Sequence, residues 1–180
     1  MAKPLLGVGT KHQSSWSLRP WIAMKAAGVD FDERVVMLDT REFKTALKQY
    51  SPPASGRVPV LVDGDVTVWE SLAICEYVAE TYAPHLWPKE RAARAFARSV
   101  SNEMHAGFAA LRNACSMNLK ADFRGTTLSP EAGGDAHRVL TIWRMCRERF
   151  GVHGPWLFGD QFTIADAMYA PVVTRFVTYG

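Results

Sequence analysis

The sequence predicts an α/β domain followed by an all-helical one, and three observations carry that prediction. Strand-like and helix-like segments alternate through the first 82 residues; strand signals then disappear. Between the two regions lies Ala83-Pro84-His85-Leu86-Trp87-Pro88, which has two prolines and no period. The expected organisation is therefore 1–82 as an α/β domain, 83–90 as a linker and 91–180 as a helical domain. The length of 180 residues would by itself fit one generous domain or two small ones.

The elements follow in order. Leu5-Leu6-Gly7-Val8 is a short apolar strand, and a polar loop runs from Thr10 to Ser15. Ser17 to Ala27 has helical spacing, with Leu18, Ile22 and Met24 on the apolar side and Gly28 as a stop signal. Pro20 is expected in the first turn, where its missing N–H costs nothing. Phe31 to Leu38 reads as a strand, Glu42 to Gln49 as a short helix and Ser51 to Gly56 as a loop. Val58–Val62 and Val66–Trp69 flank Asp63-Gly64-Asp65, a hairpin signal, and Ser71–Tyr82 reads as a helix. This order implies a parallel strand pair joined by a right-handed crossover, with an antiparallel edge. In the second region, Arg91 to about Lys120 reads as one long helix, with Phe96, Val100, Met104, Phe108 and Leu111 three or four residues apart. Gly133–Phe150 is the next helix. Thr163-Ile164-Ala165-Asp166 opens the last one with a capping-box pattern.

Composition narrows the class. Apolar residues make up 48% and charged residues 22%, which excludes disordered, collagen-like and coiled-coil chains. No apolar run approaches the ~20 residues of a membrane span, and Met1–Pro4 leads into a strand without the apolar core of a secretory leader. Cys75, Cys115 and Cys146 are odd in number and form no C-x-x-C pair. The expectation is free thiols in a reducing cytoplasm and no cysteine metal site. The net charge of +3 is uneven: residues 1–82 carry −1, while residues 91–150 carry +5, mostly as arginine. These arginines are dispersed and read as solvated helix faces, so neither nucleic acid nor a membrane is expected as a partner. On charge alone, a pocket for anionic ligands stays open.

Three places combine residue types that can carry chemistry. Ser14, Ser15 and Ser17 lie between the first strand and the first helix, where a hydroxyl either caps the helix or, with the helix N-terminus, holds an anion. Arg57-Val58-Pro59 puts a proline at a strand entry, either as an ordinary trans residue or as a cis bond that turns the Val58 backbone toward an extended ligand. Glu70-Ser71 stands between a strand and a helix. It either caps that helix or holds the amino and carboxylate ends of a substrate.

Together, Ser14-Ser15-Trp16-Ser17-Leu18-Arg19, Val58-Pro59, Glu70-Ser71-Leu72-Ala73-Ile74 and Gly159-Asp160-Gln161-Phe162-Thr163-Ile164-Ala165-Asp166 resemble the glutathione transferase family, the serine region being most like the zeta type and related bacterial forms. The resemblance implies a thioredoxin-like N-terminal domain, a C-terminal helical bundle, a cytoplasmic homodimer, glutathione as co-substrate and no metal. It further implies that Ser14 supports the glutathione sulfur and that Ser15 is a neighbouring contact. Val58 would pair through its backbone with the cysteinyl part, Pro59 would be the cis-proline, and Glu70 and Ser71 would hold the γ-glutamyl end. Asp166 would be a structural cap.

The implied function is activation of the glutathione thiol for attack on a small, hydrophobic electrophile. Met104, His105, Phe108, Arg112 and Met117 are candidates for the acceptor pocket, or else ordinary bundle core. Trp16 stands where zeta-type sequences commonly carry cysteine, which counts against the alternative of a glutathione-dependent isomerase or dehalogenase. A third alternative is a non-catalytic binding or dimerisation module with the same fold. Ser17 stands as a rival to Ser14. Because family members run several tens of residues beyond the helix that starts at Thr163, the helical domain is expected to lack its last helices, exposing an apolar face around Met168, Val172, Val173 and Phe176.

Overall fold

A computed structural model describes residues 3–38, 40 and 56–180; the helix expected over Glu42–Gln49 lies outside them, as does the loop up to residue 55. The chain divides into two compact units, Met1–Pro84 and His85–Gly180.

In the first unit, a four-stranded sheet has the order β2-β1-β3-β4, built from β1 (Leu5–Gly9), β2 (Asp32–Val36), β3 (Val60–Asp63) and β4 (Val66–Trp69). β1 pairs parallel with β2 and antiparallel with β3, and β3 pairs antiparallel with β4, so the expected parallel pair and antiparallel edge are both present. The alternation of β1 buries Leu6 and Val8, which join Val60, Leu61, Ile74 and Val78 in the core. β3 begins at Val60, two residues later than expected. Pro59 has no N–H to give the ladder, and the Val58–Pro59 bond is cis. The β3–β4 connection turns on Gly64, whose φ of 60° suits glycine. Helix α1 (Ser15–Ala26) packs against α2 (Ser71–Thr81), which buries Leu72, Ile74, Cys75 and Val78 at helical spacing. α1 starts two residues earlier than expected because Ser14 is its N-cap. This puts Pro20 in the second turn rather than the first, where the ring removes the bond a residue there would make to the Trp16 carbonyl.

The second unit is helical. A short 3₁₀ turn (Pro84–Leu86) lies in the stretch expected as a linker, and Ala83, Leu86 and Trp87 are buried, with Arg98 stacked over the Trp87 ring at 5.2 Å. The expected single helix from Arg91 is two: α3 (Arg91–Ala106) and α4 (Ala109–Ala114). The break falls where Phe108 takes a left-handed conformation, φ 62°. A Cβ on Gly107 would lie only 2.8 Å from the Glu103 carbonyl oxygen. α5 (Pro130–Phe150) begins three residues before the expected start because Ser129 accepts from the Ala132 N–H and Pro130 occupies the first turn. Arg138 reaches from α5 to both carboxylate oxygens of Glu103 on α3, at 2.7 and 2.9 Å.

α6 (Ile164–Tyr179) opens as the capping box implies: the Thr163 N–H donates to Asp166 at 2.9 Å, and the Leu157 N–H reaches the other carboxylate oxygen at 2.9 Å. Burial raises the Asp166 pKa against these hydrogen bonds. Asp166→Ala leaves both N–H donors without their acceptor and is expected to cost about 2–3 kcal/mol in urea unfolding; an unchanged midpoint would contradict the structural role. The apolar face expected to be open on α6 is largely closed. Met168 and Val172 are fully buried, and Phe176 packs on Trp143. Val173 and Val177, on the opposite side of the helix, are 49% and 74% exposed.

Candidate functional site

Two helices of the first unit open near strand ends: α1 follows β1 after the five-residue loop Thr10–Ser14, and α2 follows β4 after Glu70 alone, so each points its N-terminal N–H groups toward a strand-to-helix turn. Beside the second lies a pocket of about 190 Å³ lined by Trp16, Arg57, Val58, Pro59, Trp69, Glu70 and Ser71. Four of the six residues implicated in binding, Val58, Pro59, Glu70 and Ser71, are thus brought together from a loop, a strand end and a helix start. Ser14 and Ser15 are not part of that lining, although they immediately precede Trp16, which is.

Glu70 is the N-cap residue of α2, yet its side chain does not cap the helix. Its φ of 68° is unusual for a residue with a Cβ. Such a conformation costs about 1–3 kcal/mol and persists only where the surroundings impose it. Ser71 opens α2; its hydroxyl is completely buried and has no hydrogen-bond partner among the described residues. The lining thus sets a buried hydroxyl beside the Glu70 carboxylate and the Arg57 guanidinium.

At the start of α1, Ser14 and Ser17 are both buried and their hydroxyl oxygens lie 2.8 Å apart. The Ser17 N–H points to Ser14 Oγ at 3.4 Å, a weak cap, while the Gly9 N–H donates to Ser17 Oγ at 3.0 Å. Trp16 covers the fully buried Arg19, whose guanidinium lies 4.3 Å from the centroid of its ring.

No cysteine of this chain suits nucleophilic work. All three are free and buried; burial pushes the thiols of Cys75 and Cys146 up to about 12, and raises that of Cys115 as well. Among the described residues no group of three or more His, Cys, Asp or Glu is placed to hold a metal ion, and no helix is long and apolar enough to cross a membrane.

The acceptor candidates belong to the helical unit. Met104, Phe108 and Met117 are buried within it, while His105 and Arg112 are half-buried. Arg112 donates to the carbonyls of Met104 and His105 at the end of α3. Sequence reasoning gave no role to Arg57 or Trp69 and treated Trp16 only as a departure from a pattern. Arg57 stands in the Arg57-Val58-Pro59 run, so its adjacency to the proline was the available signal. Trp69 had none beyond preceding Glu70.

Comparison with known proteins agrees with this geometry. Residues 13–81 match the glutathione S-transferase N-terminal domain, and residues 93–180 match the glutathione S-transferase C-terminal domain. A probable maleylacetoacetate isomerase of Caenorhabditis elegans is 33% identical over 95% of this chain and 78% of its own. A zeta-class glutathione S-transferase of Euphorbia esula is 27% identical over 98% of this chain and 78% of its own. Among solved structures, a glutathione transferase homologue from Burkholderia with bound glutathione superposes with a TM-score of 0.69 at 28% identity, covering 99% of this chain and 84% of its own. With both domains matched in order, the first a mixed sheet with a cis-proline and the second helical, the chain belongs to the glutathione S-transferase family.

Proposed function

We propose that the pocket holds glutathione and that the start of α1 keeps its sulfur ionised for attack on a small, hydrophobic electrophile. The observation that carries this reading is the Glu70–Ser71 pair: a carboxylate set by a residue at φ 68°, next to a buried hydroxyl at a helix start that has no partner among the described residues. An ammonium and a carboxylate on one carbon, as at the γ-glutamyl end, match that pair. Glu70 would accept from the ammonium, while the hydroxyl and N–H of Ser71 would donate to the carboxylate. Val58 would pair through its backbone with the cysteinyl part beside Pro59, Ser15 would be a neighbouring contact, and Arg57 supplies a cation for a further carboxylate.

Glutathione brings a thiol that, at pKa ~8.5, is only about 3% ionised at pH 7. The chain has to favour the anion: lowering that pKa by ~2 needs about 2.7 kcal/mol. A charge-assisted hydrogen bond from the Ser14 hydroxyl, with the N-terminus of α1 behind it, is of that size. Ser14 acts here as a donor and takes no proton. The inert cysteines of the chain fit a reaction whose nucleophile arrives with the substrate. His105 and Arg112, half-buried, are the polar candidates for the acceptor, whereas the burial of Met104 and Phe108 favours a core role for them. A cytoplasmic homodimer completes the reading, supported by family membership and, for the compartment, by three unpaired cysteines.

The worm relative's name favours a second reading, in which glutathione returns unchanged from a cis–trans isomerisation. Calorimetric titration with glutathione, followed by turnover of a panel of aryl halides and of cis-configured unsaturated keto acids, separates the two. Glutathione loss matching product formation supports conjugation, and turnover without net loss supports isomerisation. No binding at millimolar glutathione overturns both. Ser71→Ala removes one donor to a charged group and is expected to weaken glutathione binding about tenfold or more in the same titration.

A further inference from the structure

We infer that Ser17 is a positioning residue for the thiolate site, acting through a relay that starts at the last residue of β1 and ends on Ser14. The inference rests on the reading of Ser14 as the sulfur-supporting residue. Ser17 Oγ receives the Gly9 N–H at 3.0 Å and lies 2.8 Å from Ser14 Oγ, with both serines buried. A hydroxyl has one proton and two lone pairs, and the 2.8 Å contact is served equally well with either oxygen donating. With no anion bound, Ser14 can donate to Ser17. When an anion takes the Ser14 proton as a hydrogen bond, Ser17, still accepting from Gly9, turns its own proton onto Ser14. The chain then reads Gly9 N–H to Ser17 O–H to Ser14 O–H to sulfur. No proton changes owner; two hydroxyl rotors turn. Each donor polarises the next, so the last bond to the anion is stronger than that of an isolated serine.

Gly9 contributes in a second way. A Cβ on residue 9 would lie 2.9 Å from Ser14 Oγ, and 3.0 Å from both Ser14 Cβ and Leu38 Cδ2. Only glycine lets the strand end approach Ser14 this closely, which locks the serine over Ser17. Among the described residues, the charged and titratable groups near this helix start include Lys11, paired with Glu33, and His12 in the preceding loop, Arg19 on the helix, and Cys75 on α2. Arg19 acts on the burial-raised Cys75 thiol, which stays neutral over the working range. His12→Gln therefore serves as the control for any effect of its imidazole.

The test is the pKa of the enzyme-bound glutathione thiol, read from thiolate absorbance against pH, together with the glutathione dissociation constant. Ser17→Ala is expected to raise that pKa by about 0.5–1. It should also slow turnover several-fold near pH 7 but not near pH 9, with the dissociation constant within about twofold of the parent. Ser17→Thr keeps the hydroxyl and is expected to restore the parent value. Gly9→Ala displaces Ser14 without removing either hydroxyl and is expected to match Ser17→Ala, which keeps the test alive should that variant fail to fold. A Ser17→Ala profile identical to the parent, or a Ser17→Thr profile as displaced as Ser17→Ala, overturns the relay while leaving Ser14 in its role. A Ser14→Ala variant with unmoved thiol pKa overturns that role, and the relay with it.

Discussion

Ser14→Ala is expected to lower kcat/KM in a glutathione-consuming reaction by about 10–100-fold near pH 7, while glutathione binds within about threefold of the parent. The separation follows from the geometry. The pocket that would hold the peptide is lined by Val58, Pro59, Glu70 and Ser71, and Ser14 is outside that lining. The loss falls on the sulfur alone, where a hydrogen bond to a charged atom contributes about 1.5–3 kcal/mol. That energy is the difference between thiol and thiolate, so it appears as a raised thiol pKa. The deficit must therefore shrink as pH rises toward 9, where free thiol ionises without help. The same substitution removes the cap of α1, a contact already long at 3.4 Å, and is expected to cost at most about 1 kcal/mol of stability. A thermal melt alongside the pH–rate profile separates the two effects. A profile unchanged in shape, with only a lowered melting temperature, would reduce Ser14 to a helix cap.

What the sequence made legible is what depends on local chemistry. Asp63-Gly64-Asp65 marked the β3–β4 hairpin because only glycine takes φ 60° freely, and Thr163 with Asp166 marked the start of α6 because their side chains satisfy each other's backbone. Val58, Pro59, Glu70 and Ser71 lie at or beside the start of a regular element, a place that by itself suits a cap or a strand entry, and only the family resemblance singled them out as ligand contacts. The break between α3 and α4 was hidden for a physical reason: Met104, Phe108 and Leu111 keep helical spacing straight through residue 107, so the apolar pattern is continuous while the backbone is not. Pro20 is the opposite case: a proline suggests a first turn beginning at Ser17, whereas the cap at Ser14 sets the helix start two residues earlier. Ser17 is held beside Ser14 by a strand residue eight positions earlier, and Trp69 joins the pocket lining only where β3, β4 and α2 meet. Such contacts between distant segments leave no mark on local sequence, whereas Arg57 is marked by its place in the Arg57-Val58-Pro59 run.

Glu70→Gly is expected to move stability and binding in opposite directions, a result that a residue of purely structural importance would not give. At φ 68° a side chain is strained and glycine is not, so the substitution removes about 1 kcal/mol or more of strain from the folded state. Greater freedom of the unfolded chain offsets part of that gain. The midpoint of urea unfolding should therefore stay level or rise. Glutathione binding should fall at least tenfold, because the carboxylate proposed to receive the γ-glutamyl ammonium is gone and the ammonium then enters the pocket without its charge partner. Glu70→Ala sharpens the comparison: it keeps the strained backbone, loses the carboxylate and should bind as poorly as Glu70→Gly while being the less stable of the two. Glu70→Gln keeps the shape and one acceptor oxygen but not the charge, so its affinity should fall between that of the parent and those two variants. If Glu70→Gly bound glutathione as the parent does, the ligand end assigned to Glu70 would be wrong. If it unfolded more easily than Glu70→Ala, the strain at this position would not be what the backbone geometry says it is. The two measurements thus address two separate statements: that the fold holds Glu70 in a conformation it resists, and that the carboxylate so held is there to meet a positive charge.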